Sequence, residues 1–230
     1  MTILPGLTST EKDRIPDFLR ALRTSGVRQI ALFPTVLEKP EREALYGDLE
    51  GIPDLRIPHV HLRTDCDQNE MDYLVCTFGT EVFNIHPRKS VHAFGPVPRR
   101  FAGSVYVENT QDPPEDTELA DLGGICIDYS HLESARRLGW ADYVQTVEAQ
   151  LRRFPIGCCH IAAIREGDPN AWNGGPDHHN FKELSDFDYL AGYTWALPPR
   201  WLSLELENPL EEQLEAIAYL RTQISALSAN

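Results

Sequence analysis

The polypeptide has 230 residues, 35 of them acidic and 21 basic, so its formal net charge is −14 and its isoelectric point lies near 4.9. Such an acidic protein repels polyanions, which disfavours a large nucleic-acid interface built on rows of Lys and Arg against phosphates. The five cysteines show no C-x-x-C spacing and no apolar window approaches about 18 residues, so we expect neither a disulfide framework nor a membrane span, and we expect a cytoplasmic protein.

The first predicted element is a helix that ends at Gly26. Thr8 and Glu11 have the spacing of a capping box at its start. The apolar residues that follow recur at helical spacing, at Ile15, Phe18, Leu19 and Leu22.

Eight short apolar segments, most of them rich in Val or Ile, are predicted strands. They cover residues 30–33, 57–62, 82–85, 105–107, 125–127, 156–161, 189–193 and 202–206. Segments of helical composition separate most of them, such as 138–151 with Val144, Val147 and Leu151. Alternation of buried strands with helices indicates βα units and a parallel sheet.

The last predicted helix is the clearest one. Asn208 can cap it and Pro209 suits its first position. One apolar face follows, at Leu210, Leu214, Ile217, Ile224 and Leu227. Eight strands and a closing helix predict an α/β fold, a (β/α)8 TIM barrel, as a single domain over residues 1–230.

Imidazole and carboxylate side chains recur at the ends of these strands, where a barrel carries its catalytic groups. They are His61, His86, Glu108, Asp128, His131, His160, Asp177, His179 and Glu205. Mixed His and carboxylate ligands suit a divalent metal but do not select among Mn, Zn, Co and Mg. The sequence therefore predicts a metal site assembled from distant parts of one fold.

At each of two strand ends, two candidate ligands lie on the same face of the strand. Glu205 is preferred over Glu207, which can instead favour the start of the last helix. His61 is preferred over His59 because it lies nearer the strand end. Cys158 and Cys159, on either side of His160, are predicted packing residues.

Other residues are candidates for substrate binding. Arg63 and Arg165 could anchor an anionic or polyhydroxyl substrate, and His86 could contact it. An apolar wall is expected from aromatic residues, with Trp172 and Phe94 in predicted loops at the functional end favoured over Trp195 and Trp201.

The motifs resemble those of the xylose isomerase-like superfamily of TIM barrels. This superfamily includes divalent-metal sugar isomerases and epimerases and the endonuclease IV type of zinc phosphodiesterase. The matching pieces are His86-Pro87, Glu108-Asn109-Thr110, Asp128-x-x-His131, His160, Asp177-x-His179 and Glu205. They extend over most of the sequence.

The resemblance implies two alternative ligand sets. In the isomerase branch one metal would be held by Glu108, Asp128, His160 and Glu205, and His131 would contact the substrate. In the endonuclease branch the additional ligands would be His61, His86, His131, Asp177 and His179. The sequence departs from the family at Ala163, where an Asp often stands three residues after the His of the sixth strand.

The leading hypothesis is a metal-dependent isomerase or epimerase of a small sugar-like hydroxy-ketone. Glu108 and Glu205 would move a proton by way of an enediolate, with His131 at the substrate. The alternatives are a two- or three-metal phosphoesterase resembling endonuclease IV and a non-catalytic metal- or sugar-binding barrel. The expected partner is a small molecule, not nucleic acid or a membrane, and barrels of this type often form homodimers.

Overall fold

The computed structural model describes residues 1–198 and 200–228, apart from the side chains at 194 and 226–228. In chain order the elements are β1 Thr2–Leu4, β2 Gly6–Thr8, α1 Ile15–Ser25, β3 Gln29–Phe33, α2 Lys39–Glu50, β4 Arg56–His61, α3 Gln68–Phe78, β5 Val82–Ile85, β6 Val105–Glu108, α4 Asp116–Asp121, β7 Ile125–Asp128, α5 Tyr129–Arg137, α6 Ala141–Leu151, β8 Ile156–Ile161, β9 Ala163–Ile164, β10 Asp177–His178, β11 Trp201–Leu204 and α7 Leu210–Ser228. Three 3₁₀ segments cover Lys12–Arg14, Arg99–Ser104 and Leu184–Ala196.

The main sheet is parallel and closes on itself. Its strand order is β1-β11-β8-β7-β6-β5-β4-β3-β2. Strands β1 and β2 stand at the two ends of this order but are separated in sequence only by Pro5, so together they act as one N-terminal strand that joins both edges. The result is eight barrel strands with helices between most of them, which confirms the predicted TIM barrel.

The barrel seam is held by a side chain from the last helix. Gln213, 0% exposed, accepts a hydrogen bond from the Gly6 amide at 2.8 Å and donates to the Gly6 carbonyl at 3.0 Å. Its amide nitrogen also lies within hydrogen-bond distance of the carbonyls of Leu206 and Asn208. Gly6 has no room for a side chain, because a Cβ there would lie 1.9 Å from the Leu204 carbonyl oxygen. The N-terminal strand therefore approaches β11 closely and is tied to α7.

One of the eight predicted strands is wrong, and the N-terminal strand takes its place in the barrel. Residues 189–193 lie within the 3₁₀ segment Leu184–Ala196. At three residues per turn, one face of this segment is buried, at Phe187, Leu190, Tyr193 and Ala196. The run of aromatic and apolar residues is compatible with a strand, but it covers the crossover between β8 and β11, where parallel strands need a helical connection.

The start of the first helix is also corrected. Thr8 does not cap a helix, because it ends β2 and its hydroxyl donates to the Leu206 carbonyl at 2.8 Å. Helix α1 begins at Ile15, after a 3₁₀ turn, and ends as predicted at Gly26, whose φ of 76° is left-handed. Its apolar residues Phe18 and Leu22 are buried.

The later helices follow the predictions with changes at their ends. The helical segment 138–151 begins at Ala141, because α5 ends before Leu138. In α7, Leu210 and Ile217 are buried, while the side chain of Leu227 lies outside the described residues. Asn208 does not act as a simple cap, since its side-chain amide donates to Glu212 and to the Phe181 carbonyl.

Apolar side chains fill both sides of the barrel wall. A large core lies between strands and helices. A smaller cluster has strand residues Leu4, Ala31, Phe33, Val82, Cys126, Cys158 and Trp201. Inward residues therefore alternate with outward ones along each strand, and the same alternation positions the polar groups of the site. Within the described part of the protein, no helix is long and apolar enough to cross a membrane.

Candidate metal centre

The carboxyl ends of four barrel strands bring one imidazole and three carboxylates together. Glu108 ends β6, Asp128 ends β7, His160 lies near the end of β8, and Glu205 follows β11 directly. Asp128 and His160 are register partners on adjacent strands. Parallel strands expose their carboxyl ends at one mouth, so residues far apart in sequence meet there.

His160 is the centre of this group. Its Nδ1 lies 3.1 Å from Glu205 Oε2 and 3.6 Å from Glu108 Oε2. One donor atom each from Glu108, Asp128 and His160 lies within 4.8 Å of the other two. These side chains are nearly inaccessible to solvent.

Donor atoms of Asp128 and His160 are available to bind a cation. Asp128 Oδ1 accepts hydrogen bonds from the His131 amide at 2.9 Å and from the Ser130 hydroxyl, whereas Asp128 Oδ2 is buried without a hydrogen bond from any described residue. Both ring nitrogens of His160 are likewise buried without a well-aligned partner in the described ranges. Buried polar atoms normally find a partner, and a carboxylate oxygen with an imidazole nitrogen suits a divalent metal. The residues therefore fit a metal ion.

The charges of the group depend on one another. Burial alone would lower the pKa of His160, but Glu108 and Glu205 raise it to about 9. Burial alone would raise the pKa of Glu205, but His179 and His160 lower it to about 2. The pKa of Glu108 is also lowered, against the effect of burial, by His160 and His61, while burial raises the pKa of Asp128. Without metal, protonated imidazole thus compensates the carboxylates.

A second group shares Glu108. His61 Nε2 lies 3.1 Å from Glu108 Oε2, and the rings of His61 and His86 are 4.8 Å apart. Donor atoms of His61, His86 and Glu108 meet within 4.8 Å, and His61 Nδ1 is buried without a hydrogen bond to the described part of the chain. Burial lowers the pKa of His86 to about 4, so its imidazole is neutral at pH 7.

A third pair stands beside Asp128. His131 Nδ1 lies 3.2 Å from Asp177 Oδ2, and Asn170 donates to Asp177 Oδ1 at 2.9 Å. Burial would lower the pKa of His131, but Asp128 and the hydrogen-bonded Asp177 raise it to about 10. The hairpin of β9 and β10 carries Asp177 to this position over the barrel mouth.

His178 and His179, which follow Asp177 in the sequence, have different neighbours. The ring of His179 is 5.9 Å from that of Trp172, and His179 contributes to the lowered pKa of Glu205. His178 instead bonds the Asp168 carbonyl through Nε2 at 2.6 Å.

The two ambiguous pairs have different surroundings. Glu205 lies beside His160, while the carboxylate of Glu207 accepts a hydrogen bond from Thr10 at 2.6 Å. His61 reaches Glu108, whereas His59 lies one layer deeper, with both ring nitrogens hydrogen-bonded.

Among the predicted substrate contacts, the two arginines are already hydrogen-bonded within the protein, whereas Trp172 is exposed to solvent. Arg63 donates to Glu38 Oε1 at 2.7 Å, and Arg165 donates to Asp168 and Asn180. Trp172 is 51% exposed beside His179 and therefore has an accessible ring face.

The other aromatic candidates and the cysteines take different places. Trp195 is half exposed and stacks on Arg152, and Phe94 packs partly buried against the core. Trp201 is buried inside the barrel in the small cluster that also holds Cys158, while Cys159 joins the outer core.

Three buried residues lie next to the site; Asn84 and Ser203 are not among its sequence-predicted candidates, and His59 is the less favoured member of the pair with His61. His59, Asn84 and Ser203 each stand two positions before a site residue, on the inward face of their strand. Strand alternation is the signal that could identify them. Donor atoms of His59, Cys126 and His160 also lie within 4.8 Å of one another, but the nitrogens of His59 are already bonded, so we regard that group as structural.

Comparisons with known proteins bear on the fold. No model of a known protein family matches, and neither does any curated protein. Among solved structures, the IOLI protein with a bound zinc atom is 12% identical, with a TM-score of 0.50, over 99% of this chain and 98% of that one. The apo form of 3-keto-D-glucoside 4-epimerase YcjR from E. coli is 12% identical, with a TM-score of 0.42, over 96% and 99%. At 12% identity, the likeness to IOLI bears on the fold alone and agrees with the TIM barrel seen in the strand order.

Proposed function

We propose that the protein is a divalent-metal-dependent isomerase or epimerase of a small, sugar-like hydroxy-ketone. The observation that carries the proposal is the position of His160 between Glu205 and Glu108, at 3.1 and 3.6 Å, beside Asp128 Oδ2, which no described residue hydrogen-bonds. The zinc atom named for the IOLI structure, which has the same fold, makes zinc the first metal to test.

The metal ligands in this proposal are Glu108, Asp128, His160 and Glu205. When bound, a divalent metal polarises adjacent substrate oxygens and stabilises the negative charge that develops when a proton leaves the carbon beside the carbonyl. Asp128 can keep its role at the start of α5 through Oδ1, and Oδ2 would be available to hold a metal.

Glu108 and Glu205 are the proposed acid and base. Their lowered pKa values keep both carboxylates ionised at pH 7, so either one can accept a proton. They come from β6 and from the end of β11, with β7 and β8 between them in the barrel wall. In an isomerisation, the carboxylate that removes the proton becomes protonated and can return it at the neighbouring carbon. In an epimerisation, the opposite carboxylate must first take a proton from solvent before it can deliver one to the other face.

His131, His86 and Trp172 are the proposed substrate contacts. Trp172 offers an exposed ring face, and neutral His86 can hydrogen-bond a hydroxyl. Arg63 and Arg165 are the proposed anchors, and a substrate group would compete with Glu38 and Asp168 for their guanidinium groups.

Proton exchange tests this function even while the product is unidentified. Metal-stripped protein is reloaded with Zn, Mn, Co or Mg and incubated in D₂O with a panel of ketoses and related hydroxy-ketones. We expect metal-dependent deuterium incorporation beside the carbonyl, measured by NMR. Glu108→Gln and Glu205→Gln should each lower the rate by at least about 100-fold, in the range of general acid–base contributions.

Glu207→Gln is the matched control, because Glu207 is bonded to Thr10 and an amide oxygen can still accept that bond. Its exchange rate should equal that of the wild type. Unchanged exchange in both site variants contradicts the proposed roles. Saturable sugar binding to the metal-loaded protein without any exchange supports the non-catalytic binding barrel instead.

A second candidate function is a two- or three-metal phosphoesterase. It is favoured by the additional groups of His61 with His86 and of His131 with Asp177, which adjoin the first group through Glu108 and Asp128. In this case His179 would join them, and water would attack a phosphoester in line. Two or three bound metal ions per chain, with hydrolysis of a phosphodiester lost in His86→Ala, would favour it over the isomerase.

A further inference from the structure

Three buried polar side chains form a layer beneath the candidate metal centre. They are His59, Asn84 and Ser203, and each is 0% exposed. Each precedes a site residue by two positions, in the order His61, His86 and Glu205. Because side chains alternate along a strand, all three face the barrel interior below the residues of the site. None of them belongs to the proposed ligand set.

The three side chains connect to Glu108 by consecutive hydrogen bonds. Ser203 Oγ lies 2.7 Å from His59 Nδ1, and His59 Nε2 lies 3.0 Å from Asn84 Oδ1. Asn84 Nδ2 donates to Glu108 Oε2 at 2.7 Å. We name these three residues the Ser203–His59–Asn84 network.

The direction of the hydrogen bonds between His59 and Glu108 follows from the carboxylate at the end. Ionised Glu108 can only accept, so the NH₂ group of Asn84 must face it and the amide oxygen must face His59. His59 Nε2 therefore carries a proton, and Nδ1 faces the Ser203 hydroxyl at 2.7 Å. The network requires a proton on His59 Nε2.

We propose that the Ser203–His59–Asn84 network positions the Glu108 carboxylate for metal binding and proton transfer. The inference rests on the proposed function, because it assumes that Glu108 is a ligand and a base. Glu108 Oε2 also lies 3.1 Å from His61 Nε2 and 3.6 Å from His160 Nδ1, so several orientations would bring it near an imidazole. The Asn84 donor selects one of them, and a fully bonded buried network resists rotation.

The first test measures the tautomer in metal-free wild-type protein. Long-range ¹H–¹⁵N NMR distinguishes Nε2–H from Nδ1–H imidazole, and His59→Phe assigns the signal. The network requires Nε2–H. The Nδ1–H tautomer, which leaves Nε2 without a proton, would overturn it, and this result is independent of metal and substrate.

The second test measures cobalt binding in variants along the network. We compare Co²⁺ affinity and the visible spectrum of the cobalt-loaded protein for Asn84→Leu, His59→Phe and Ser203→Ala. Partners of metal ligands contribute about 10- to 100-fold to affinity. We expect a loss in this range for Asn84→Leu with a changed spectrum, a smaller loss for His59→Phe, and the smallest for Ser203→Ala.

Cys126→Ala is the matched control for packing. Cys126 is also buried two positions before a site residue, Asp128, but its thiol pairs with Cys158 and takes no part in the hydrogen bonds that join the network to Glu108. The substitution should lower thermal stability without changing the cobalt spectrum. A merely structural role predicts instead that cobalt affinity follows the thermal stability of the metal-free variants, whatever their place in the network.

The outcomes separate the two proposals. If the wild type binds cobalt but Asn84→Leu and Ser203→Ala bind it with the affinity and spectrum of Cys126→Ala, the positioning role is overturned and the proposed function stands. If the wild type binds no metal, the proposed function fails, and the positioning role for metal binding fails with it, even when the His59 tautomer shows that the hydrogen bonds exist.

Discussion

Asp128 and His131 are joined at the start of α5, where the His131 amide donates to Asp128 Oδ1 at 2.9 Å and no described residue hydrogen-bonds Oδ2. One carboxylate thus serves two purposes: one oxygen caps a helix, and the other faces the group around His160. The cap itself requires only the Asp, since it accepts from the backbone amide of the third residue after it.

Substitution of Asp128 should separate the two purposes. Asn caps helices about as well as Asp, so Asp128→Asn should fold normally in the metal-free state but lose metal affinity by more than about 100-fold, beyond the effect of losing a partner of a ligand. Asp128→Ala should lose the affinity and, in addition, about 1 kcal/mol of stability. Metal titration and urea unfolding measure the two effects; equal affinity in wild type and Asp128→Asn would exclude Asp128 as a ligand.

The raised pKa of His160 predicts opposite pH dependences with and without metal. Its pKa is about 9 in the folded metal-free protein, against 6.5 as the ordinary value. The protonated form therefore stabilises the metal-free fold fully below pH 6.5, and this contribution is lost as the pH rises to about 9. Metal binding needs neutral imidazole, so metal affinity should rise over the same range.

Calorimetry in buffers of different ionisation enthalpy should detect proton release on metal binding at pH 7, and urea unfolding should show falling stability of the metal-free protein from pH 7 to 9. His160→Gln should remove the His160 component of both trends. Metal affinity independent of pH in this window would contradict His160 as a ligand.

The barrel seam depends on Gln213. Gln213→Leu removes the Gln213 partner from the buried amide and carbonyl of Gly6 and from the Asn208 carbonyl, while the Leu206 carbonyl keeps its bond from Thr8. Each unsatisfied group costs about 1–3 kcal/mol, so the free energy of unfolding should fall by at least about 3 kcal/mol. Gln223→Leu on the same helix, whose bonds lie near the surface, serves as the control and should change it by less than about 1 kcal/mol. Equal effects would mean that the seam is not closed by this amide.

Outside the barrel wall, a buried ion pair joins α2 to α3. Arg42, 0% exposed, donates to both carboxylate oxygens of Glu70 at 2.6 and 2.8 Å and to the Leu37 carbonyl at 2.9 Å. Arg42→Met leaves the Glu70 charge unpaired and should cost about 3–5 kcal/mol. Arg42→Met combined with Glu70→Leu should recover most of that loss in urea unfolding. A double variant as unstable as Arg42→Met would show that the loss comes from the missing ion pair and not from the unpaired charge of Glu70.

The barrel and much of its mouth can be predicted because they follow local patterns. Short Val- and Ile-rich strands end at Glu108 and Asp128, and the carboxyl ends of parallel strands meet by topology. The N-terminal strand escapes prediction because Pro5 splits it into two runs of three residues, and it becomes a strand only by pairing with β3 and β11. Residues 189–193 resemble a strand because five residues are too few to show the spacing of their buried side chains. The spacing of three residues, which indicates a 3₁₀ helix, is visible only over the longer run from Phe187 to Ala196.

Polar residues below the site escape prediction for a different reason. Asn84 and Ser203 are ordinary strand residues by composition, and their importance lies in contacts with His59 and Glu108 from other strands. Register between distant strands decides such contacts, and a single sequence does not contain it.

The most direct measurement is the metal content per chain, by elemental mass spectrometry, of protein purified without chelators and of the same protein after dialysis against Zn or Mn. We predict one tightly bound equivalent, lost in Asp128→Asn and in His160→Gln and retained in Glu207→Gln. Protein that contains no metal and takes up neither Zn nor Mn would contradict the metal centre and the function proposed from it.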